Sequence, residues 1–201
     1  MEGVSTSAEP PAGVALLLVD LQNAYFESLV LAEVQGVLIE RANELVRTAR
    51  ELGRPVVLVR TEHAPDKSTW TVNMLEDDEG FAFPGSAQAA YVDGFDTDEA
   101  IDLTKTRDDA FHGTRLHEVL IELGASHLLI GGVSTHSCVA ETAMSAFAHN
   151  FHVAVAADVT ASENATLSLA MLEFLRDELR QPVLDQEASL NLLRNGPARH
   201  R

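Results

Sequence analysis

The chain has 201 residues, 46% of them hydrophobic and 22% charged, ordinary arithmetic for a globular protein and enough length for one sizeable core. Fourteen Lys and Arg against thirty-one Asp and Glu give a formal net charge of -17, which repels polyphosphates and anionic bilayers and argues against nucleic-acid and membrane partners. The longest apolar runs fall far short of the roughly 20 residues a membrane-spanning helix needs.

Residues 1–13 are polar, contain Pro and Gly, and lack the basic-then-apolar pattern of a targeting peptide, so they read as a disordered tail on a cytoplasmic protein. Residues 14–194 read as one domain. Val14–Val19 is a continuous apolar run ending in Asp20, the pattern of a strand buried on both faces. From Leu31 to Leu52 apolar residues recur every three or four positions, and Gly53 supplies the stop, which predicts an amphipathic helix. Pro55 then opens a second apolar strand, Val56 to Val59, completing a βαβ unit and hence a parallel sheet. Residues 62–98 show no sustained period but hold Trp70, Met74, Phe81, Phe83 and Tyr91, the composition of an ordered lid or subunit-contact region. The alternation then resumes. Strands are expected near 100–105, 128–131 and 153–157, helices over 114–123, 136–149 and 165–179, and an edge strand at 182–184 before a short terminal helix.

In a parallel sheet, ligands bind beyond the carboxyl ends of the strands. Asp20 ends the first strand, Lys105 ends the third, and Gly131 to Cys138 turns from the fourth into a helix. A carboxylate, an ammonium and the chain's one thiol therefore share an edge. A thiol of reference pKa about 8.5 needs a base or a positive charge to become a nucleophile at neutral pH. Asp20 is the candidate base and Lys105 the candidate holder of the anion, while the helix start adds its dipole and free backbone N–H groups for an oxyanion. Each residue alone has a plainer reading: a buried small hydrophobe, a turn former, a surface charge. Strand order is not readable from the pattern, so these residues alone leave open whether the three side chains meet.

Three stretches carry a resemblance: Ala15 to Asn23, Lys105 to Thr114 and Gly132 to Val139. Their order and spacing resemble the signature blocks of the isochorismatase-like cysteine hydrolases, over residues 14–185. The resemblance implies a three-layer α/β/α fold around a six-stranded parallel sheet of order 3-2-1-4-5-6, and Asp20, Lys105 and Cys138 as catalytic triad. It further implies a cis Val133–Ser134 peptide, an oxyanion hole from the backbone N–H groups of Ser134 and Cys138, and a homo-oligomer, dimer or tetramer. Nicotinamidases in that family carry an Asp-x-His metal motif and a further His after the second strand; here the region reads Arg60-Thr61-Glu62-His63-Ala64-Pro65, so neither metal nor other cofactor is expected. The thiol favours C–N hydrolysis of a small amide, carbamoyl or ureido substrate through a thioester. A vinyl ether hydrolase of isochorismatase type, and an idle member that binds a metabolite or protein partner, are the rival expectations. Around the substrate, Gln22, Tyr25, Phe26, His63, Trp70 and Phe111 are the candidate contacts.

Overall fold

The computed structural model describes residues 13–197; the tail expected over residues 1–13 lies, but for Gly13, outside them. Six parallel strands form one sheet in the order β3-β2-β1-β4-β5-β6, with β1 Val14–Val19, β2 Val56–Thr61, β3 Ile101–Lys105, β4 His127–Val133, β5 His152–Ala161 and β6 Val183–Leu184. The first crossover is α1 Leu29–Glu51 and the second contains only a short helix, α2 Val72–Asp77. Next come α3 Leu116–Glu122, α4 Ala140–Ala148, α5 Ala165–Asp177 and α6 Gln186–Asn195.

Every residue of β1 is buried because alternate side chains serve two cores. Val14, Leu16 and Leu18 pack with Leu38, Leu45 and Val46 of α1 and Leu193 of α6. Ala15, Leu17 and Val19 pack with Leu116 and Leu120 of α3, Ala143 of α4 and Leu175 of α5. Each fully buried Leu or Val contributes about 1.5–3 kcal/mol, so the double-sided strand anchors three layers at once. Among the described residues no helix is long and apolar enough to cross a membrane.

Several expected elements differ in extent or kind: β2 continues to Thr61 and β4 runs from His127 to Val133. β5 runs to Ala161 instead of stopping at Ala157, because its pairing with β4 shifts register between Ile130 and Gly132 and then continues through Gly132–Thr160 and Val133–Ala161. The helix expected over 136–149 opens as a π-helical turn, Thr135–Val139, before α4 begins. The 62–98 region is ordered against the body: Val92 and Phe95 enter the core that α1 covers, and Gln22 bridges to Tyr91.

Where β4 leaves the sheet, the chain passes too close to β1 for any side chain. Gly132 has φ +127°, and a Cβ there would lie 1.9 Å from the Val19 carbonyl oxygen and 2.7 Å from its nitrogen. Gly132→Ala is therefore expected to destabilise the fold by upwards of about 4 kcal/mol, read as a collapse of the urea midpoint. A midpoint within error of the parent would show that this junction is not held as described.

Candidate active site

Strand order explains why residues far apart in the chain meet. β1 lies between β2 and β4, and β3 flanks β2, so the carboxyl ends of all four adjoin. Thr61 pairs in register with Lys105, and Val19, just before Asp20, pairs with Val59 on one side and Gly132 on the other. Asp20 is fully buried, adopts a left-handed φ of +58°, and donates its backbone N–H to the Val59 carbonyl at 2.8 Å. Its carboxylate is thereby turned away from solvent.

Lys105 Nζ stands 2.7 Å from Asp20 Oδ2 and 3.5 Å from Cys138 Sγ. The three expected residues are brought together. Their side chains are no more than 2% exposed, so the ammonium is screened from its two neighbours far less than a surface charge would be.

Two further residues complete the cluster, and neither was singled out from the sequence. The Thr61 hydroxyl accepts from Lys105 Nζ at 2.7 Å and from the Tyr25 hydroxyl at 3.1 Å, and donates to Asp20 Oδ1 at 2.9 Å. Asp108 Oδ1 accepts from the Cys138 thiol at 3.3 Å. The sulfur thus has an ammonium and two carboxylates as neighbours.

Those charges decide its resting state. Burial pushes the Cys138 thiol well above its ordinary range, and the Asp20 and Asp108 charges push the same way against Lys105. Cys138 is a protonated thiol at neutral pH. At rest the ammonium is paired with Asp20 and lies within reach of the sulfur. Activation has to accompany bond formation.

Burial lowers the Lys105 pKa, but the charge and hydrogen bond of Asp20 act the other way and the ammonium is held above its ordinary value. Tyr25 is raised well above its ordinary value, by burial first and then by Asp20. All three groups therefore hold their protons more tightly folded than unfolded. The stability this confers is complete below the unfolded thiol value of about 8.5 and is lost as pH rises through the range where Cys, Tyr and Lys ionise in the unfolded chain. Urea midpoints should accordingly fall between about pH 8.5 and 11, with Cys138→Ser removing the earliest part of the fall. A flat profile over that range would contradict the assignment.

The cluster adjoins a small pocket of ≈ 150 Å³ lined by Tyr25, Thr61, His63, Thr71, Met74, Phe81, Thr106, Arg107 and Asp108. Of the residues expected around a substrate, Tyr25 and His63 line it. The other four do not. Gln22 has both ends of its amide engaged, donating to the Thr61 and Ala89 carbonyls and accepting from the Thr61 N–H, so it fixes the end of β2. Phe26 packs into the core beneath α1. Phe111 belongs to the opposite core and stacks on His149. Trp70 donates its indole N–H to the Ala64 carbonyl and stacks on Phe83. Arg107 lines the pocket, and its Nη1 donates to the Thr69 and Thr106 carbonyls.

His63 is buried, and its Nδ1 lies 3.1 Å from the Thr69 carbonyl oxygen. Burial lowers its pKa and Arg107 and Lys105 reinforce this, so the imidazole is neutral and donates from Nδ1. The residues here do not fit a nicotinamidase-type metal centre. Thr61, two positions before His63, has its hydroxyl engaged by Asp20, Lys105 and Tyr25, and among the described residues no three His, Cys, Asp or Glu side chains are grouped to hold an ion.

Beyond β4 the Val133–Ser134 peptide is cis. Ser134 Oγ donates to Glu163 Oε2 at 2.7 Å, and the Thr160 hydroxyl bonds both Thr135 Oγ1 and the Gly132 carbonyl at 2.9 Å. The end of β5 thereby braces the turn that carries Cys138. Asp158, on the same strand, is remote from the chemistry: it ties Arg41 of α1 to the Gln186 N–H at the start of α6, each at 2.7 Å.

An open parallel sheet with a buried Asp, Lys and Cys at its carboxyl edge defines a class of α/β protein rather than an individual. Residues 14–187 match the isochorismatase domain, and the chain belongs to the isochorismatase family. It is 30% identical over 191 residues to a probable inactive nicotinamidase of Arabidopsis thaliana, covering 89% of this chain and 96% of that protein. Nicotinamidase 3 of the same plant is 29% identical over 165 residues, covering 79% of this chain and 78% of the relative. The crystal structure of an isochorismatase family protein from Desulfovibrio vulgaris superposes with a TM-score of 0.81 at 26% identity, covering 90% of this chain and 98% of that one.

Proposed function

We propose that this protein is a cysteine amidohydrolase that cleaves the C–N bond of a small amide, carbamoyl or ureido substrate without a metal. The observation that carries the proposal is the position of Lys105 Nζ, 2.7 Å from Asp20 and 3.5 Å from Cys138 Sγ, in a cluster joined through Thr61 and Asp108 to a pocket of ≈ 150 Å³. As sulfur bonds to the substrate carbonyl carbon, its proton passes to Asp20 and Lys105 stabilises the charge left on sulfur. The backbone N–H groups of Ser134 and Cys138 take the oxyanion. The C–N bond then breaks, nitrogen leaves with the proton from Asp20, and a thioester on Cys138 remains for water to hydrolyse. Tyr25, Phe81 and Met74 give the substrate an apolar wall, and Arg107 gives an oxygen at the substrate's far end a guanidinium partner.

A chelator-treated screen of nicotinamide, ureidoacrylate, biuret and N-carbamoyl amino acids should find ammonia or amine release from at least one of them. Isochorismate alone being turned over, or activity that requires added metal, would reject the proposal. A second reading, an idle binding member, is favoured by one observation: Cys138 is only 2% exposed and lies behind Thr61 and Asp108 rather than on the pocket surface. A thiol inert to iodoacetamide at neutral pH, together with no turnover in the screen, would select it.

A further inference from the structure

The two carboxylates beside Cys138 differ in what they face. Asp20 is fully buried; one oxygen accepts from Thr61, the other faces Lys105, and it does not line the pocket. Asp108 lines the pocket, Oδ1 accepts from the thiol at 3.3 Å, and among the described residues Oδ2 makes no hydrogen bond to the protein. Once sulfur is acylated, the acyl group extends on the pocket side and the water that releases it must arrive from there. Asp20 is sealed from that side and Asp108 borders it.

We propose that Asp108 is the general base of the second half-reaction, so that the site divides its proton transfers between two carboxylates. The inference rests on the thioester mechanism above. In acylation the proton travels from sulfur through Asp20 to the departing nitrogen, and Asp20 ends ionised as it began. In deacylation a water O–H gives its proton to Asp108 as the oxygen bonds to the thioester carbon. The C–S bond breaks, and sulfur takes the proton from Asp108, returning the thiol and the ionised carboxylate while the acid product leaves. Atoms and charge balance across both halves with no co-reactant other than water. The resting hydrogen bond from the thiol to Asp108 is the last state of that sequence.

4-Nitrophenyl acetate separates the halves, because nitrophenolate needs no proton to leave and its release reports acylation alone. With the full-length protein, Asp108→Asn is expected to keep the initial burst of nitrophenolate while its steady-state rate falls by about 100-fold or more, the usual range for a lost general base. Intact-protein mass should show the acetyl group accumulating on Cys138, with Cys138→Ala as the control that shows neither burst nor adduct. Hydroxylamine, which attacks a thioester without a base, should restore the steady-state rate of Asp108→Asn, a rescue that a merely structural role would not produce. Asp108→Glu should regain part of the rate, and Asp108→Ser repeats the experiment should Asn not fold. A steady-state rate in Asp108→Asn within about threefold of the parent would overturn the inference, as would joint loss of burst and turnover without hydroxylamine rescue. An acetyl adduct on neither the parent nor Asp108→Asn would instead remove the thioester mechanism on which both rest.

Discussion

Cys138→Ala is expected to reduce amide turnover by about 10⁴-fold or more while leaving the folded protein intact. The activity loss follows from the covalent step: with no sulfur there is no thioester, and neither Asp20 nor Lys105 offers another nucleophile to the pocket. The structural loss is small for a different reason. Cys138 is buried beside Val139 and Ala140 as a compact side chain, and removing one sulfur atom there costs about 1 kcal/mol in packing. The variant also deletes a group that burial keeps as a neutral thiol, so no charge is left unpaired. Ammonia release on the best substrate of the screen, measured alongside a thermal melt, checks both halves of the expectation. Turnover that survives in a folded Cys138→Ala would point to vinyl ether chemistry with an acid such as Asp20, and would end the amidase reading.

The outline of this site is legible where a strand is buried on both faces: β1 is an unbroken apolar run, and Asp20, the polar residue that ends it, marks the sheet edge. Lys105 closes a different kind of strand, the edge strand β3, in which half-buried Ile101 and Leu103 alternate with exposed Asp102 and Thr104 and the Lys side chain falls on the buried face. Thr61 was missed because the apolar run of β2 stops at Val59, although the strand continues to Thr61. The two-residue period would have found it, since Val57 and Val59 share one core and Thr61 is the next position on that face. Asp108 carried a weaker signal, one acidic residue in the segment following Lys105. The aromatic residues were not separable from sequence. Tyr25 and Phe26 are neighbours in the chain, yet one lines the pocket and the other fills the core. The choice is made by long-range contacts such as Tyr25 to Thr61 and Phe81. The apolar pattern of β5 ends early for a similar reason: Asp158 looks like the end of a strand until Arg41 and the Gln186 N–H are seen to satisfy it.

Lys105→Met is expected to destabilise the protein by about 3–5 kcal/mol and to abolish turnover with it. Lys105 and Asp20 are 1% and 0% exposed, so neither can turn to water when its partner is removed. Methionine fills much the same volume but takes the ammonium from beside the Asp20 carboxylate, leaving it uncharged partners such as the Thr61 hydroxyl. In a domain of this size each kcal/mol moves the melting temperature by about 2–4 °C, so a fall on the order of 10 °C is anticipated. The paired variant Asp20→Asn with Lys105→Met removes both charges at once and should recover part of that loss, because an empty pair is tolerated better than a broken one. Strict additivity of the two single substitutions would show that the groups are not coupled, and a Lys105→Met variant within about 1 kcal/mol of the parent would show that Asp20 is relieved by solvent. The same burial that makes the pair costly to break gives it catalytic use. An ammonium with no water to screen it can hold the charge on sulfur for the moment of attack, even though it does not suffice to ionise the resting thiol.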